Sequence, residues 1–562
     1  MRSQTSLTDC YATELSKTKK KYIMNKLLKE LLDKLDFEGV ISNASIPNDL
    51  LPSRYEDKVG GELGKEFVAS LVKIINEEKY SPAEASFIHV PKPGFTTRPA
   101  ALLTLADRLV YEALIDSIKP AIEKKLISDV YVMWPRANYV PKRWGEFERA
   151  PISTGEEYVV NVDITAFYDS IDHSVLEGKI VDIIGENTFA RAISLFLTEI
   201  MGSNRGVPQG ILASDTLATL YLQSVDSAML RSGFNYWRHG DDIRMSAENI
   251  SLARQAIAIA EIELRKIGLV LNSSKCVIQR TEHYDSNLQE TSKVYELIKQ
   301  RLYEEKVEDV STDTDVLQDL MDEAELDDQM KWDLFYHESI SIEDVIEEIR
   351  EQLQPDELEI AKTLFKETME GIPDGENPLP KDRFHVQIKK SMLRLAAGKS
   401  DIAIDNCSSL IAKFPDKTEL VCNYLISLSS IRPRDVASQA EDIINSDLFL
   451  TAWQKAWIYR VLGECSEELS EKAKETISKN CNDQYAHWLE RVEGFKVLSK
   501  IGELPFKLVM QSWEVAPIAY KPDLIASAVY LSKSCEKSKR FLEGIKQSPI
   551  ERVVARHCIA KS

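Results

Sequence analysis

The spacing of apolar and polar residues changes along the chain. Residues 13–37 carry apolar residues at helical spacing opposite a basic face, which predicts an amphipathic helix. Residues 39–60 are interrupted by Gly, Pro, Asn and Ser and predict a loop. From residue 61 to about 280 the pattern is mixed, and it predicts helices at 62–77 and 100–118, strands at 87–90 and 158–162, and a hairpin over 236–245.

Beyond about residue 290 the periodicity is almost entirely helical. An acidic stretch over 304–350 predicts short solvated helices or a linker. From 385 to 562, helical patterns alternate with short breaks, which predicts antiparallel helix pairs stacked as an irregular solenoid. We therefore expect four regions: an N-terminal helical extension (1–60), a mixed domain (61–290), an acidic helical linker (291–384) and a helical repeat domain (385–562).

Composition narrows the class of protein. The 562 residues are 44% apolar and 28% charged, which is ordinary for globular domains and excludes a disordered or collagen-like chain. A net charge of −20 argues against a basic nucleic-acid coat but is compatible with a local basic channel. The 8 cysteines are scattered without a C-x-x-C pair, and no apolar run has the length of a membrane span. We expect a reduced, cytoplasmic protein without a structural metal and without a membrane partner.

One candidate for chemistry is Asp163, which directly follows the predicted strand 158–162 in NVDITAFYDSIDH (161–173). A carboxylate at the end of a buried strand is costly unless its charge meets a cation or a metal. Ile164 would present a backbone carbonyl at the same point, and carbonyl oxygens also suit Mg²⁺. Asp is equally suited to cap a following helix, so this motif alone leaves both roles open.

Two further motifs change that balance. Asp241 and Asp242 are adjacent in RHGDDIRM (238–245), where their mutual repulsion is relieved by a divalent cation, although Gly-Asp-Asp also suits an ordinary turn. Three carboxylates from two strands meet the requirement of two-metal nucleotidyl transfer. Between them, GVPQGILASDTLATLYL (206–222) offers the amide of Gln209 to a base or sugar, and Gly210 allows close approach of the backbone to a substrate.

In this order and spacing the three motifs resemble motifs A, B and C of reverse transcriptases. They are similar in particular to those of bacterial group II intron and retron enzymes. PKPGFTTRP, with Lys92 and Arg98, and ADRLVYEAL (106–114) resemble the fingers segment that contacts the incoming triphosphate. GLVLNSSKC (268–276) resembles motif D, with Lys275 as its lysine. The resemblance covers about residues 85–280. It implies an α+β right-hand polymerase whose fingers and palm, with an antiparallel sheet, occupy 61–290, followed by a thumb-like region and an all-α HEAT-like helical repeat domain.

The resemblance also assigns roles. Asp163, Asp241 and Asp242, with the carbonyl of Ile164, are expected to hold two Mg²⁺ ions, or Mn²⁺ in their place, and Lys275 to act with them in catalysis. Tyr168 falls at the gate that excludes a ribose 2′-hydroxyl and so favours dNTPs. The remaining substrate contacts implied by the resemblance are Lys92, Arg98, Gln209, Gly210 and His239, the last replacing the family's usual aromatic residue before the Asp pair.

A helical array after the palm is similar to the layout of abortive-infection and unknown-group reverse transcriptases of bacterial antiphage defence. That similarity implies an RNA-directed or template-independent DNA polymerase that uses dNTPs, assembles as a homo-oligomer and has a protein tyrosine as a candidate primer. Two alternatives stay open. One is a helical-repeat scaffold with a degenerate polymerase fold, and the other is a retron- or intron-type reverse transcriptase.

Overall fold

The computed structural model describes residues 7–94, 96–127, 129–132, 144–312, 320–321, 324, 346–371, 381–533, 535–545 and 549–561. The chain forms two compact units, the first made of Met1–Asp285 with Ile444–Ser562 and the second of Ser286–Ile443. The N-terminal part of the first unit contains α1 (Leu7–Leu31), α2 (Phe37–Ala44), α3 (Tyr55–Asn76), β1 (Ser86–Pro91), β2 (Thr97–Leu102), α4 (Leu105–Glu123), β3 (Val130–Tyr131), α5 (Trp144–Arg149), β4 (Tyr158–Val162), α6 (Phe167–Ser170), α7 (His173–Ile184), α8 (Asn187–Met201), α9 (Leu212–Arg231), β5 (Asn235–His239), β6 (Asp242–Ala247), α10 (Ile250–Lys266) and β7 (Val277–Arg280).

A sheet with strand order β3-β5-β6-β4-β7 lies at the centre of this unit. β4 pairs antiparallel with both β6 and β7, β5 pairs antiparallel with β6, and the short β3 runs parallel to β5. Val159 and Val160 on β4, and Ile243 and Met245 on β6, are fully buried. Both middle strands therefore belong to the core, and the end of β4 meets the β5–β6 turn at one edge of the sheet.

The strand expected at 158–162 and the hairpin expected over 236–245 are confirmed as β4 and β5–β6. The stretch 39–60 is not all loop, because α2 continues to Ala44 and α3 begins at Tyr55. Asp36 caps α2 by accepting a 2.8 Å hydrogen bond from the Gly39 amide. The helix expected from residue 100 begins at Leu105, since the residues before it pair with β1 as strand β2.

The second unit is mostly helical in its described residues. Phe384 stacks on Phe414 with ring centroids 4.1 Å apart, and Ile298, Ile360 and Leu364 form a buried cluster. Most of the acidic stretch expected at 304–350 lies outside the described residues. The helices are α11 (Thr281–Thr312), which begins in the first unit, α12 (Arg350–Leu353), α13 (Glu357–Glu370), α14 (Lys381–Ala397), α15 (Cys407–Lys413), α16 (Thr418–Leu428) and α17 (Pro433–Ile444).

The remaining helices belong to the first unit, so the stretch expected to be one domain from 385 to 562 is divided near Ile444. Among the helices of the described residues, none is both long enough and apolar enough to span a membrane. The C-terminal helices of the first unit are α18 (Ala452–Glu464), α19 (Glu471–Asn482), α20 (Trp488–Lys500), α21 (Phe506–Val515), α22 (Lys521–Ser532), α23 (Glu536–Ile545) and α24 (Pro549–Lys561).

Residues 48–54, which we call the N-terminal strap, explain why these helices join the first unit. The indole nitrogen of Trp453 donates a 2.8 Å hydrogen bond to the carbonyl of Leu50. Arg54 donates through Nε to Asp523 Oδ2 at 3.0 Å, and Lys496 Nζ lies 2.9 Å from Asp523 Oδ1. Burial opposes ionisation of Asp523, but the charges of Arg54 and Lys496 outweigh it and lower the pKa of that carboxyl to about 2.

Replacing Asp523 by Ala is expected to lower the free energy of unfolding by about 3–5 kcal/mol, because Arg54 would be left buried without its counter-charge. Urea unfolding of the full chain measures the loss. The control is Arg556→Ala, which removes an exposed ion pair with Glu66 between α24 and α3 and should cost less than about 1 kcal/mol. Equal losses in the two variants would contradict the role given to Asp523.

Candidate active site

Three predicted carboxylates lie at the edge of the sheet where β4 ends. Asp163 follows β4, Asp241 lies in the β5–β6 turn, and Asp242 begins β6. Val162 is paired with Ile243, so the next position, Asp163, falls beside Asp242. Burial, followed by the charges of its two neighbours, raises the pKa of Asp241 to about 6, and burial also raises the pKa of Asp242. The three carboxylates are therefore close enough for their charges to interact.

The loop before β7 brings Lys275 to this edge. Its Nζ lies 3.0 Å from Asp163 Oδ1, and Asn272 Nδ2 donates to Asp163 Oδ2 at 3.3 Å. The backbone N–H of Asn272 also donates to the Asp163 carbonyl at 2.8 Å, and Ile164 forms an antiparallel bridge with Leu271. The motif D segment is thus joined to the end of β4 through both backbone and side chains. Asn272 was not singled out from the sequence, although it lies within the quoted motif.

The donor chemistry of this edge fits a divalent cation. Carboxylates and the carbonyl of Ile164 are the oxygen ligands that Mg²⁺ prefers. Burial is the main cause of the raised pKa values of Asp241 and Asp242, and the charges of the neighbouring carboxylates add to it, so a bound cation would favour the ionised forms. In the part of the chain that the structure describes, no group of three or more His, Cys, Asp and Glu side chains is already arranged to hold a metal ion. An ion bound here would compete with Lys275 for Asp163.

A buried ion pair holds the turn that carries Asp241. Arg238 on β5 is fully buried and donates to both carboxylate oxygens of Asp226 on α9, at 2.7 and 2.6 Å. Its Nη1 donates to the Gly240 carbonyl at 3.0 Å, and Tyr236 Oη donates to Asp226 Oδ1 at 2.7 Å. Arg238 and Asp226 were not predicted as site residues. Their signal in the sequence is a charged residue in each of two apolar elements.

Gly210 lies directly under the N-terminal strap. Its φ of +82° is in the left-handed region, and a Cβ there would come within 2.1 Å of Asn48 Oδ1 and 2.6 Å of Asp49 Oδ1. Asn48 Nδ2 donates to the carbonyls of Gln209 at 2.7 Å and Ala101 at 2.9 Å. The backbone of Gly210 is therefore closely approached, and the approaching group is the N-terminal strap.

Tyr168 connects motif A to the helix that follows motif B. Its hydroxyl donates a 2.5 Å hydrogen bond to Asp215 Oδ1 in the first turn of α9. Burial, then the charge of Asp215 and its hydrogen bond, raise the pKa of Tyr168 far above its usual range, and the charges of Asp241 and Asp49 add to this. Burial raises the pKa of Asp215 to about 6. The predicted gate residue thus lies within electrostatic reach of Asp241.

The predicted basic residues lie on the β1–β2 hairpin. Lys92 donates its amide to the Thr96 carbonyl at 2.7 Å in the turn, and Arg98 is on β2, opposite Val90. The charge of Lys92 lowers the pKa of Asp169, beside the gate, against the larger raising effect of burial. This places Lys92 near motif A.

His239 ends β5 and packs among aromatic rings. Its ring centroid is 5.1 Å from that of Trp144 and 5.8 Å from that of Phe147. Burial lowers the pKa of His239, against the opposing charge of Asp242. His239 therefore takes the place of an aromatic residue by packing its neutral ring against other rings.

Comparison with known proteins agrees with the position of these motifs. Residues 90–304 match the family model of reverse transcriptase (RNA-dependent DNA polymerase). The chain is 27% identical over 128 residues to retron Ec86 reverse transcriptase of Escherichia coli and 28% identical over 151 residues to retron Se72 reverse transcriptase of Salmonella heidelberg. These matches cover 22% and 25% of this chain and 39% and 38% of the relatives, so the chain spans less than half the length of the curated relatives it matches. A further match, 23% identical over 158 residues, is protein YkfC of Escherichia coli, covering 26% of this chain and 41% of that protein.

Gly210→Ala is expected to destabilise the first unit more than backbone strain alone would. Gly233→Ala is the matched control, because Gly233 has a similar φ of +79° but no atom within 4 Å of an added Cβ. We expect about 1 kcal/mol for the control and at least about twice that for Gly210→Ala, which must also displace Asn48. Urea unfolding measures both, and equal losses would contradict the close contact with the strap.

Proposed function

We propose, on the premise that residues 90–304 form a reverse transcriptase domain, that the protein is a DNA polymerase that joins deoxyribonucleotides, either on an RNA template or without a template. The observation that carries the proposal is the position of Asp163 beside Asp242 and Asp241, with Tyr168 within reach of the charge of Asp241. Burying unused carboxylates at a strand end would be costly, which argues against a degenerate polymerase fold serving as a scaffold.

Asp163, Asp241 and Asp242, with the carbonyl of Ile164, are the groups that would hold Mg²⁺, as two ions, or Mn²⁺ in their place. When bound, the ions supply the positive charge that activates a 3′-hydroxyl and stabilises the departing pyrophosphate. The chain fixes the carboxylates for this chemistry, since β4–β6 pairing sets Asp163 beside Asp242 and Arg238 holds the turn of Asp241. Lys275 keeps a positive charge at Asp163, where phosphate charge would arrive.

Lys92 and Arg98 are the proposed triphosphate ligands. Each already interacts with a carboxylate, Lys92 with Asp169 and Arg98 with Asp49. A triphosphate would compete with these carboxylates for the same two basic groups, and it brings several negative charges where each carboxylate has one.

The remaining groups shape the nucleotide and primer sites. The ring of Tyr168 fills the space under the sugar, so a 2′-hydroxyl meets it. Gln209 and Gly210 form the turn that would face the base and sugar. His239, uncharged at neutral pH because burial lowers its pKa, packs against Trp144 where the primer end would lie.

The biological setting belongs to the same proposal. The layout of a palm followed by helices resembles antiphage reverse transcriptases, and we propose a role in bacterial defence, with the C-terminal HEAT-like helices supporting a homo-oligomer and a tyrosine of the chain as a candidate primer. The similarity to two retron reverse transcriptases favours RNA as the template, and a retron-type enzyme is the second candidate function.

Asp241→Ala is expected to lower dNTP incorporation by the purified full chain by about a thousandfold or more, because it removes a charge and a ligand from the reacting centre. Incorporation of labelled dNTP with Mg²⁺ measures this. Glu248→Ala is the control, since Glu248 is exposed just beyond the other end of β6. Wild-type incorporation by a folded Asp241→Ala variant would contradict the assignment.

Tyr168→Ala is expected to raise ribonucleotide incorporation relative to deoxyribonucleotide by about tenfold or more, because the space under the sugar opens. The ratio of kcat/KM for an NTP and its matching dNTP checks this. An unchanged ratio would show that Tyr168 is not the gate.

A further inference from the structure

The phenol of Tyr168 is tied to a charged residue that the polymerase motifs do not assign. Asp215 accepts its hydrogen bond at 2.5 Å, at the short end of the range for a hydroxyl bound to a carboxylate. Both side chains are half-buried. A contact of this kind fixes an aromatic side chain that could otherwise adopt several rotamers.

The fold places Asp215 for this contact. It lies in the first turn of α9, where the helix dipole favours a negative charge. Burial and the charges of Asp49 and Asp241 oppose ionisation of Asp215, whereas the hydrogen bond from Tyr168 favours it. A carboxylate held among other carboxylates therefore depends on this donor.

The backbone of Tyr168 is held as well. Its carbonyl accepts from the Val207 amide at 3.0 Å, and its ring meets the ring of Phe167 edge-on at 5.5 Å. With the backbone fixed at one end of the side chain and Asp215 at the other, the ring has a single direction. The orientation of the ring therefore depends on Asp215 as well as on the backbone of residue 168.

We infer that Asp215 is a positioning residue that sets the discrimination between deoxyribonucleoside and ribonucleoside triphosphates by holding the ring of Tyr168 in place. The inference rests on the proposed polymerase function. It adds a specificity determinant, because a phenol without its acceptor can turn aside and admit a 2′-hydroxyl while the carboxylates of the reacting centre stay where they are.

The experiment compares full-length wild type with Asp215→Ala, Asp215→Asn, Tyr168→Phe and the double variant Tyr168→Phe/Asp215→Ala. For each, kcat/KM is measured with one dNTP and the matching NTP. Asp215→Ala should lower the preference for the dNTP by about tenfold, the usual scale for a lost hydrogen bond to a charged group. Asp215→Asn should retain the preference, because its amide oxygen still accepts from the phenol.

Tyr168→Phe should lose the preference to the same extent as Asp215→Ala, and the double variant should lose no more than either single variant. Tyr168→Phe and Asp215→Asn nearly keep the volume of the native side chains, so they decide the matter even if Asp215→Ala fails to fold. Wild-type preference in Tyr168→Phe, or additive losses in the double variant, would overturn the inference.

If wild type incorporates no dNTP at all, it is the proposed function that fails. If wild type incorporates dNTPs but the preference for dNTPs is the same in all the variants, the proposed function is retained and the inferred role of Asp215 is wrong.

Discussion

The buried ion pair between Arg238 and Asp226 is the interaction on which the geometry of the site depends. Both side chains are 1% exposed, and the guanidinium makes two hydrogen bonds to the carboxylate. Burying two charges is costly, and it is tolerated when each is paired and hydrogen-bonded. Here two further N–H groups of Arg238 donate to the carbonyls of Gly240 and Thr219. One side chain thus joins the turn before Asp241 to the helix that carries Asp215.

The N-terminal strap is the second support of the same region. At one end Asn48 binds the Gln209 carbonyl, next to Gly210, and at the other end Arg54 reaches Asp523 on α22. Motif B is therefore held from two sides, by β5 through Arg238 and by the C-terminal helices through the strap. These helices are therefore part of the structure that supports the proposed nucleotide site.

Much of the palm could be predicted from the sequence because its determinants are local. β4 is apolar except for Asn161 and is followed directly by Asp163, and a Gly-Asp-Asp turn marks the β5–β6 hairpin. The contact of Arg238 could not be predicted, because it depends on which face of α9 packs against β5. The contact of Asp215 could not be predicted either, because it depends on how α6 meets the first turn of α9. The division of the C-terminal helices near Ile444 could not be predicted either, since nothing near Asp523 in the sequence marks Arg54 as its partner.

The long sequence separation of the strap contacts has a consequence for the order in which the molecule is completed. Arg54 and Asp523 are 469 residues apart, and Leu50 and Trp453 are 403 apart. During synthesis the N-terminal elements leave the ribosome first, and contacts of such separation form last. A nascent chain that has not yet reached α22 already contains all three carboxylates and the motif B glycine, but its strap lacks the contact of Arg54 with Asp523. The contact between Arg54 and Asp523, which supports the proposed nucleotide site, can therefore form only after α22 has been synthesised.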